Sequence, residues 1–309
     1  MARLQFLRAL LLVWAVVTIV FVVTYLLPGD PARIILGPRA PEEALAAFRH
    51  NAGLDLPLLV QYQRYLARVA TLDFGWSYSY ARPVFNLLAE RGQASLRLAG
   101  IAFAITLLIG ISVPLVLHSR QMRRALVHTI HVAQLIAFIP PYVLATLAII
   151  VFASWLGLTP VLFGGGSPGS WLVPAFVLSA YPTAVVINVF ANRLQHELLS
   201  DYAKRARSNG FSHSYVVWAE AFPNALPATI AALANGMAFF LTGTLFIEII
   251  FGIPGLGNLA FDALRSKDVV VLAGICLSYS GFVIAMSTSL DGALHQMPPH
   301  NRVRGRSFA

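Results

Sequence analysis

Few side chains in this sequence could do covalent or acid–base chemistry, and their spacing assembles no catalytic set. His128 and His131 stand at helical spacing, but a metal site needs more ligands than such a pair supplies, so they read as a structural pair. Cys276 is the one cysteine; it excludes an internal disulfide and reads as a small core residue of an apolar run. Glu248 lies near the end of another apolar run, within about a turn of the interface, where solvent or a neighbouring helix end can satisfy it. The GGGSPG run at Gly164 to Gly169 is an external turn and no phosphate cradle, because no strand precedes it and no Gly-Lys-Ser/Thr follows. No metal site, nucleophile or nucleotide site is expected, so the chain should not hydrolyse ATP. Recognition is the chemistry left, and it concentrates in Asp201 to Pro227, DYAKRARSNGFSHSYVVWAEAFPNALP.

The surrounding elements are apolar. The 309 residues are 58% hydrophobic and 11% charged, with a mean hydropathy of +0.71, which marks an all-α polytopic membrane protein. A net charge of +9 on such a chain reflects orientation signals in loops; nucleic acid is excluded as a partner because no solvated basic face exists. Six stretches can each cross a bilayer: Phe6 to Leu27, Ser95 to Leu117, Val127 to Leu156, Trp171 to Phe190, Ala228 to Ile250 and Val269 to Leu290. The first has a basic start like a signal peptide, but its length and the lack of a small-residue cleavage site predict a retained helix. With a cytoplasmic N-terminus, inside segments carry twelve Lys and Arg against four Asp and Glu, and outside segments ten against eight. The short loop around Arg120, Arg123 and Arg124 is the strongest local signal, so both termini are placed in the cytoplasm.

The external loop, residues 28–94, is too long for a turn. Pro41, Glu42 and Glu43 open one helix, Gly53 closes it, and Leu59, Tyr62, Leu66 and Val69 give the next a helical apolar face. Such a cap either covers helix ends or receives a soluble partner. Pro140 and Pro141 near the middle of the third span remove two backbone donors and predict a bend or break. They and Asn188, a polar residue in the fourth span, are the candidate hinge or pathway positions.

The cytoplasmic segment 193–227 predicts two short helices. DYAKRARSNG closes at Gly210; SHSYVVWAEAF starts at a Ser212 cap, presents Val216, Val217 and Ala219 to Phe222 as its apolar side, and stops at Pro223 and Pro227. By spacing alone this elbow suits a groove on another protein or an anionic lipid surface reached by Lys204, Arg205 and Arg207.

DYAKRARSNG with NALP at Asn224 to Pro227 resembles the cytoplasmic coupling loop of ABC importer permeases. LPGDP (Leu27 to Pro31), GLDLPLLVQYQRYL (Gly53 to Leu66), LDFGWSY (Leu72 to Tyr78), IPPYVLATL (Ile139 to Leu147) and GTLFIEIIFGIPGLG (Gly243 to Gly257) extend the likeness along nearly the whole chain. Their order and spacing are similar to the B-type membrane subunit of the peptide/nickel branch. The resemblance implies a single permease domain, residues 1–309, of the type I importer fold in the inner (plasma) membrane, working with a paralogous C-type permease, two ABC ATPase subunits and a soluble substrate-binding protein. It binds no cofactor; ATP and Mg²⁺ belong to the ATPase subunits. Asp201, Tyr202, Ala203, Ala206, Arg207, Gly210, Asn224 and Pro227 are the implied coupling residues, the alanines permitting close approach and the charges orienting docking. Glu248, Pro254, Gly255 and Gly257 fall on the implied external face. Ser208, Asn209, Glu220 and Pro223 depart from the family pattern, as does Met297-Pro298-Pro299-His300 near the C-terminus. Peptides are the implied cargo, with nickel or another small solute as the alternative. A secondary transporter acting alone would instead call for buried ionisable residues or internal repeats, and a non-transporting scaffold would need neither the bent span nor the elbow.

Overall fold

The apolar stretches fold as helices, the form that satisfies every backbone donor and acceptor within one segment. The computed structural model describes residues 2–26, 31–37, 39–77, 79–119, 122–155 and 169–296. Residues 27–30, most of the glycine-rich run before Gly169, Arg120 and the 297–300 motif lie outside them. Among the described residues, three helical stretches are long and apolar enough to cross a membrane by length and composition: Val84–Leu117, Ser170–Leu198 and His213–Ala234. Counting each of two bent helix pairs as one span gives up to five, and shorter apolar helices cover Leu10–Val23 and Val269–Ala285. Chain contacts divide it into two units, Met1–Ala94 with Pro254–Ala285, and Ser95–Ile253 with Met286–Ala309.

In the first unit, α1 (Ala2–Leu26) meets α4 (Leu58–Ala70). Thr18 and Tyr62 hydroxyls share a 2.6 Å hydrogen bond, and Phe21 packs on Tyr62 and Tyr65. The cap helices form where expected. After α2 (Pro31–Leu36), α3 (Glu42–Ala52) starts at Pro41 and ends at Gly53, whose φ of 67° is the left-handed closure glycine tolerates. The Arg68 guanidinium beside Asp73 holds its carboxyl below the usual carboxylate value. Among the described residues, a two-residue antiparallel ladder, β1 (Trp76–Ser77) with β2 (Arg82–Pro83), is the one strand pairing in an otherwise helical fold. Helix α5 (Val84–Leu117) then begins well before the expected span start at Ser95, because Val84, Leu87 and Leu88 bury against Leu259, Ala263, Val271 and Ile275. The last two belong to α13 (Val269–Gln296), the others to α12 (Leu256–Arg265). Cys276, expected in the core, is exposed; Ile275 takes the inward position, and the next helical residue points elsewhere.

Asp268 organises this unit. It is 2% exposed and accepts from Ser77 Oγ at 2.7 Å, Ser79 N at 3.1 Å and Val271 N at 3.2 Å. Asp268→Ala strands these donors, a loss of roughly 2–6 kcal/mol at about 1–3 for each of the two fully buried ones, Ser77 Oγ and Val271 N. Limited proteolysis of the purified chain is expected to open the 74–83 segment first; an unchanged cleavage pattern would refute the role.

In the second unit, α6 (Arg123–Ala137) and α7 (Pro141–Ile149) meet at 99°. The break expected at Pro140 and Pro141 is there, and it divides the stretch into two helices. Pro140 caps α7 and Pro141 fills its first turn, where the missing N–H costs nothing, and the Pro140 carbonyl receives Val143 and Leu144 amides. A π-helical stretch (Ile150–Trp155) continues α7. Helix α8 (Gly169–Leu198) packs on α6 and on α11 (Phe222–Phe251). Tyr181, Pro182, Val185, Leu233, Gly236 and Phe239 line a cleft of about 200 Å³ between α8 and α11.

Candidate functional site

The elbow grows out of the last turn of α8. Glu197, nearly buried there, pairs with Arg193 at 3.1 Å and accepts from the Tyr202 hydroxyl. Ser200 caps α9 (Asp201–Ser208), accepting from Ala203 N and donating to the Glu197 carbonyl at 2.6 Å. Asp201 in the first turn and Arg205 and Arg207 in the last suit the helix dipole. Gly210 then takes φ +84°, with Phe211 N returning to the Ala206 carbonyl and Gly210 N to that of Arg207. Ser212 caps α10 (His213–Tyr215) by accepting from Tyr215 N at 3.2 Å.

The second arm does not stop at its prolines. From α10 the chain runs through a π-helical stretch (Val216–Ala221) straight into α11, with Pro223 in the first turn of α11 and Pro227 inside it. The widened turn precedes Pro223 and relieves the ring's clash with the preceding carbonyls. The arm is thus helically continuous with α11, and His213–Ala234 as a whole is one of the stretches long and apolar enough to span.

Ala203, Ala206, Val216, Val217, Ala221 and Ala225 join Phe190, Leu194 and Leu198 in one buried cluster. The two alanines therefore face this chain's own core, where their small size permits the close approach of α9 to α8. Arg207 likewise donates to the Leu198 carbonyl. Asn224 Nδ2 donates to the Glu220 carbonyl at 2.7 Å and to Tyr202 Oη at 3.3 Å, so Tyr202 staples α9 to α8 and α11. Burial, then the Glu197 hydrogen bond, pushes the Tyr202 hydroxyl up to about 12, keeping it a donor at neutral pH.

The outward side carries Asp201, Lys204 and Arg205 with Ser208, Asn209 and Gly210. Asp201 and Lys204 pair at 3.4 Å. Phe211, Tyr215 and Trp218 are exposed at 47%, 44% and 58%, and Phe211 stacks on Tyr215 at 4.5 Å. Ala219, expected on the apolar side, is exposed as well. A basic and aromatic ridge of this kind carries the side chains that anchor protein interfaces. Sequence reasoning missed the three aromatics, although their spacing of four and three residues was a helical-face signal.

The remaining candidates lie elsewhere. Asn188, half-buried on α8, accepts from Asn192 at 2.6 Å, and neither it nor the prolines reach the elbow residues. Glu248 is fully buried in the last turn of α11, so this chain's own packing rather than solvent surrounds it. Gly252 at φ 71° turns the chain so that Phe251 and Ile253 are buried too. In the first unit, Gly255 caps α12 and Gly257 is buried within it, with Pro254 just before. His128 and His131 line an open groove of about 460 Å³ with Arg123, Arg124 and Val127. No cluster of three His, Cys, Asp or Glu that could hold a metal occurs among the described residues.

Comparison with known proteins places this elbow in context. Residues 106–302 match the binding-protein-dependent transport system inner membrane component, and residues 2–99 match the N-terminal part of the binding-protein-dependent transport system membrane component. The chain is 32% identical over 291 residues, 91% of each chain, to a putative peptide transport system permease protein of Brucella abortus. It is 32% identical over 279 residues, 89% of this chain and 90% of the other, to the glutathione transport system permease protein GsiC of Salmonella paratyphi A. A crystal structure of an amino acid ABC transporter with histidines shares the fold, with a TM-score of 0.54 and 19% identity over 69% of this chain and 94% of that one. The chain therefore belongs to the binding-protein-dependent transport system inner membrane components, as a multi-pass ABC importer permease of the peptide branch.

Proposed function

We propose that this chain forms, with a paralogous C-type permease, the path for peptides delivered by a soluble binding protein, driven by two ABC ATPase subunits. In this reading it crosses the inner membrane six times, both termini are cytoplasmic, residues 28–94 cap the outer face and residues 193–227 receive the ATPase stroke. ATP and Mg²⁺ are handled by the ATPase subunits. The observation that carries the reading is the elbow's build: an exposed basic and aromatic ridge, buttressed from beneath, whose second arm continues without a break into α11. A push on the ridge is thereby delivered to a span rather than absorbed in a loop.

A tag on this chain should retain the ATPase subunits through purification in mild detergent; a transport-active preparation free of them refutes the proposal. Gly210→Asp tests the elbow itself. No atom lies within 4 Å of a Cβ at Gly210, so a side chain fits, but φ +84° is strained for it. That strain costs about 1–2 kcal/mol, and a carboxylate at the α9 C-terminus adds a few tenths. Uptake per ATP hydrolysed is expected to fall about tenfold with the chain still inserted, and Gly210→Asn, which tolerates this backbone better, falls less. Normal accumulation by the aspartate variant in vesicles would sink the coupling role.

A further inference from the structure

His118 follows the last turn of α5, and His213 opens α10, 95 residues further on. Their rings stack with centroids 5.3 Å apart and planes 17° apart, and their Nε2 atoms are 3.2 Å apart. His118 Nδ1 lies in hydrogen-bond contact with the Leu115 carbonyl. A carbonyl only accepts, so Nδ1 carries the hydrogen and the Nε2 of neutral His118 carries the lone pair. His213 Nε2–H then donates to it. The relay Leu115 carbonyl, His118, His213 ties the start of the elbow's second arm to the end of a candidate span.

We propose that His118 is a positioning residue for coupling: through His213 it seats the elbow's second arm at the end of α5, and double protonation of the pair releases it. The inference rests on the coupling role of the elbow. One added proton can be shared between facing nitrogens, since a protonated His213 still donates to neutral His118. Two protons leave two donors and two like charges face to face. The charged groups acting on His213 are His118 and, from α9, Arg207; both oppose its protonation, after burial, and hold it below the ordinary histidine value. The other charged or titratable side chains on α9, the π-helical stretch and the end of α8 are Arg193, His196, Glu197, Asp201, Lys204, Arg205 and Glu220. Glu197 is engaged by Arg193 and Tyr202, and Asp201 by Lys204. Among the described residues no carboxylate acts on His213 to favour the second proton. The contact is therefore complete at neutral pH and above, and is lost on the acid side of the ordinary histidine range, where the pair takes up its second proton.

The test uses the assembled transporter in proteoliposomes with the ATPase side exposed, measuring uptake per ATP hydrolysed between about pH 5 and 8. The wild-type ratio is expected to fall about fivefold or more towards the acid end. His118→Gln should flatten the profile, because the amide oxygen accepts from His213 in either protonation state. His118→Leu should be low throughout; should it fail to assemble, the glutamine comparison decides. The same acid fall in wild type and His118→Gln overturns the latch. A wild-type complex that couples at no pH overturns instead the function on which the latch rests.

Discussion

Ala203→Leu is expected to lift α9 off its seat and bring ATP-driven uptake to background, with the chain still recovered from the membrane in normal amount. Helix α9 has 8 residues, too few to persist alone, since isolated helices shorter than about 12–15 residues are marginal in water. Its inward contacts are Ala203 at 0% and Ala206 at 8% exposure, with the Tyr202 and Arg207 bonds beside them. Three further carbon atoms at Ala203 meet a cluster closed by Phe190, Leu194, Leu198, Val216 and Val217. Overpacking of this kind costs roughly 1–3 kcal/mol or more. The least costly relief is movement of α9 itself, because the rest of the cluster belongs to long helices. Moving α9 breaks the Tyr202 staple to Glu197 and Asn224, so a push on the ridge no longer reaches α11. Full uptake by Ala203→Leu in vesicles would show that α9 works without its seat.

Local backbone chemistry was legible in the sequence. Pro41, Gly53, Ser212 and Gly210 mark helix ends in the structure because each acts through its own dihedral or its own side chain. What composition hid was direction. In α9, Ala203 and Ala206 stand three apart among charged residues, a one-face pattern; in the second arm Val216, Val217, Trp218 and Phe222 are apolar in turn, so nothing local marks Trp218 as outward, and that is decided by which helices meet. Pro223 and Pro227 misled for a related reason, since a π-helical turn can accommodate a proline that a local rule reads as a stop. Glu248 was read from its distance to the end of the span, while its burial depends on the turn at Gly252. The resemblance identified the elbow as the segment of interest, but its internal buttress of Glu197, Tyr202 and Asn224 needed coordinates.

Gly110→Val is expected to separate α5 from α8 and to lower the melting temperature of the detergent-purified chain more than any elbow substitution. A Cβ built on Gly110 would lie 2.5 Å from Val186 Cγ1 and 2.9 Å from its Cβ. Neither atom can retreat: Val186 is β-branched, 1% exposed and held within a helix, where its χ1 is fixed. One turn before Gly110, Thr106 accepts from the Thr183 hydroxyl at 3.1 Å in a fully buried contact. A small residue with a hydrogen bond one turn away is how membrane helices approach closely without a hydrophobic drive between them. Three added carbons therefore force the backbones apart and break that bond, a loss of about 3 kcal/mol or more. Val186→Ala removes the atom that would be struck first and should recover part of the loss in a Gly110→Ala background, which a nonspecific helix effect of the alanine would not allow. An unchanged melt for Gly110→Val would mean that α5 and α8 do not approach at this residue. The contact matters to the elbow because α5 ends beside His118 and α8 ends at Glu197, so the two helices that meet at Gly110 also carry the supports of the coupling arm.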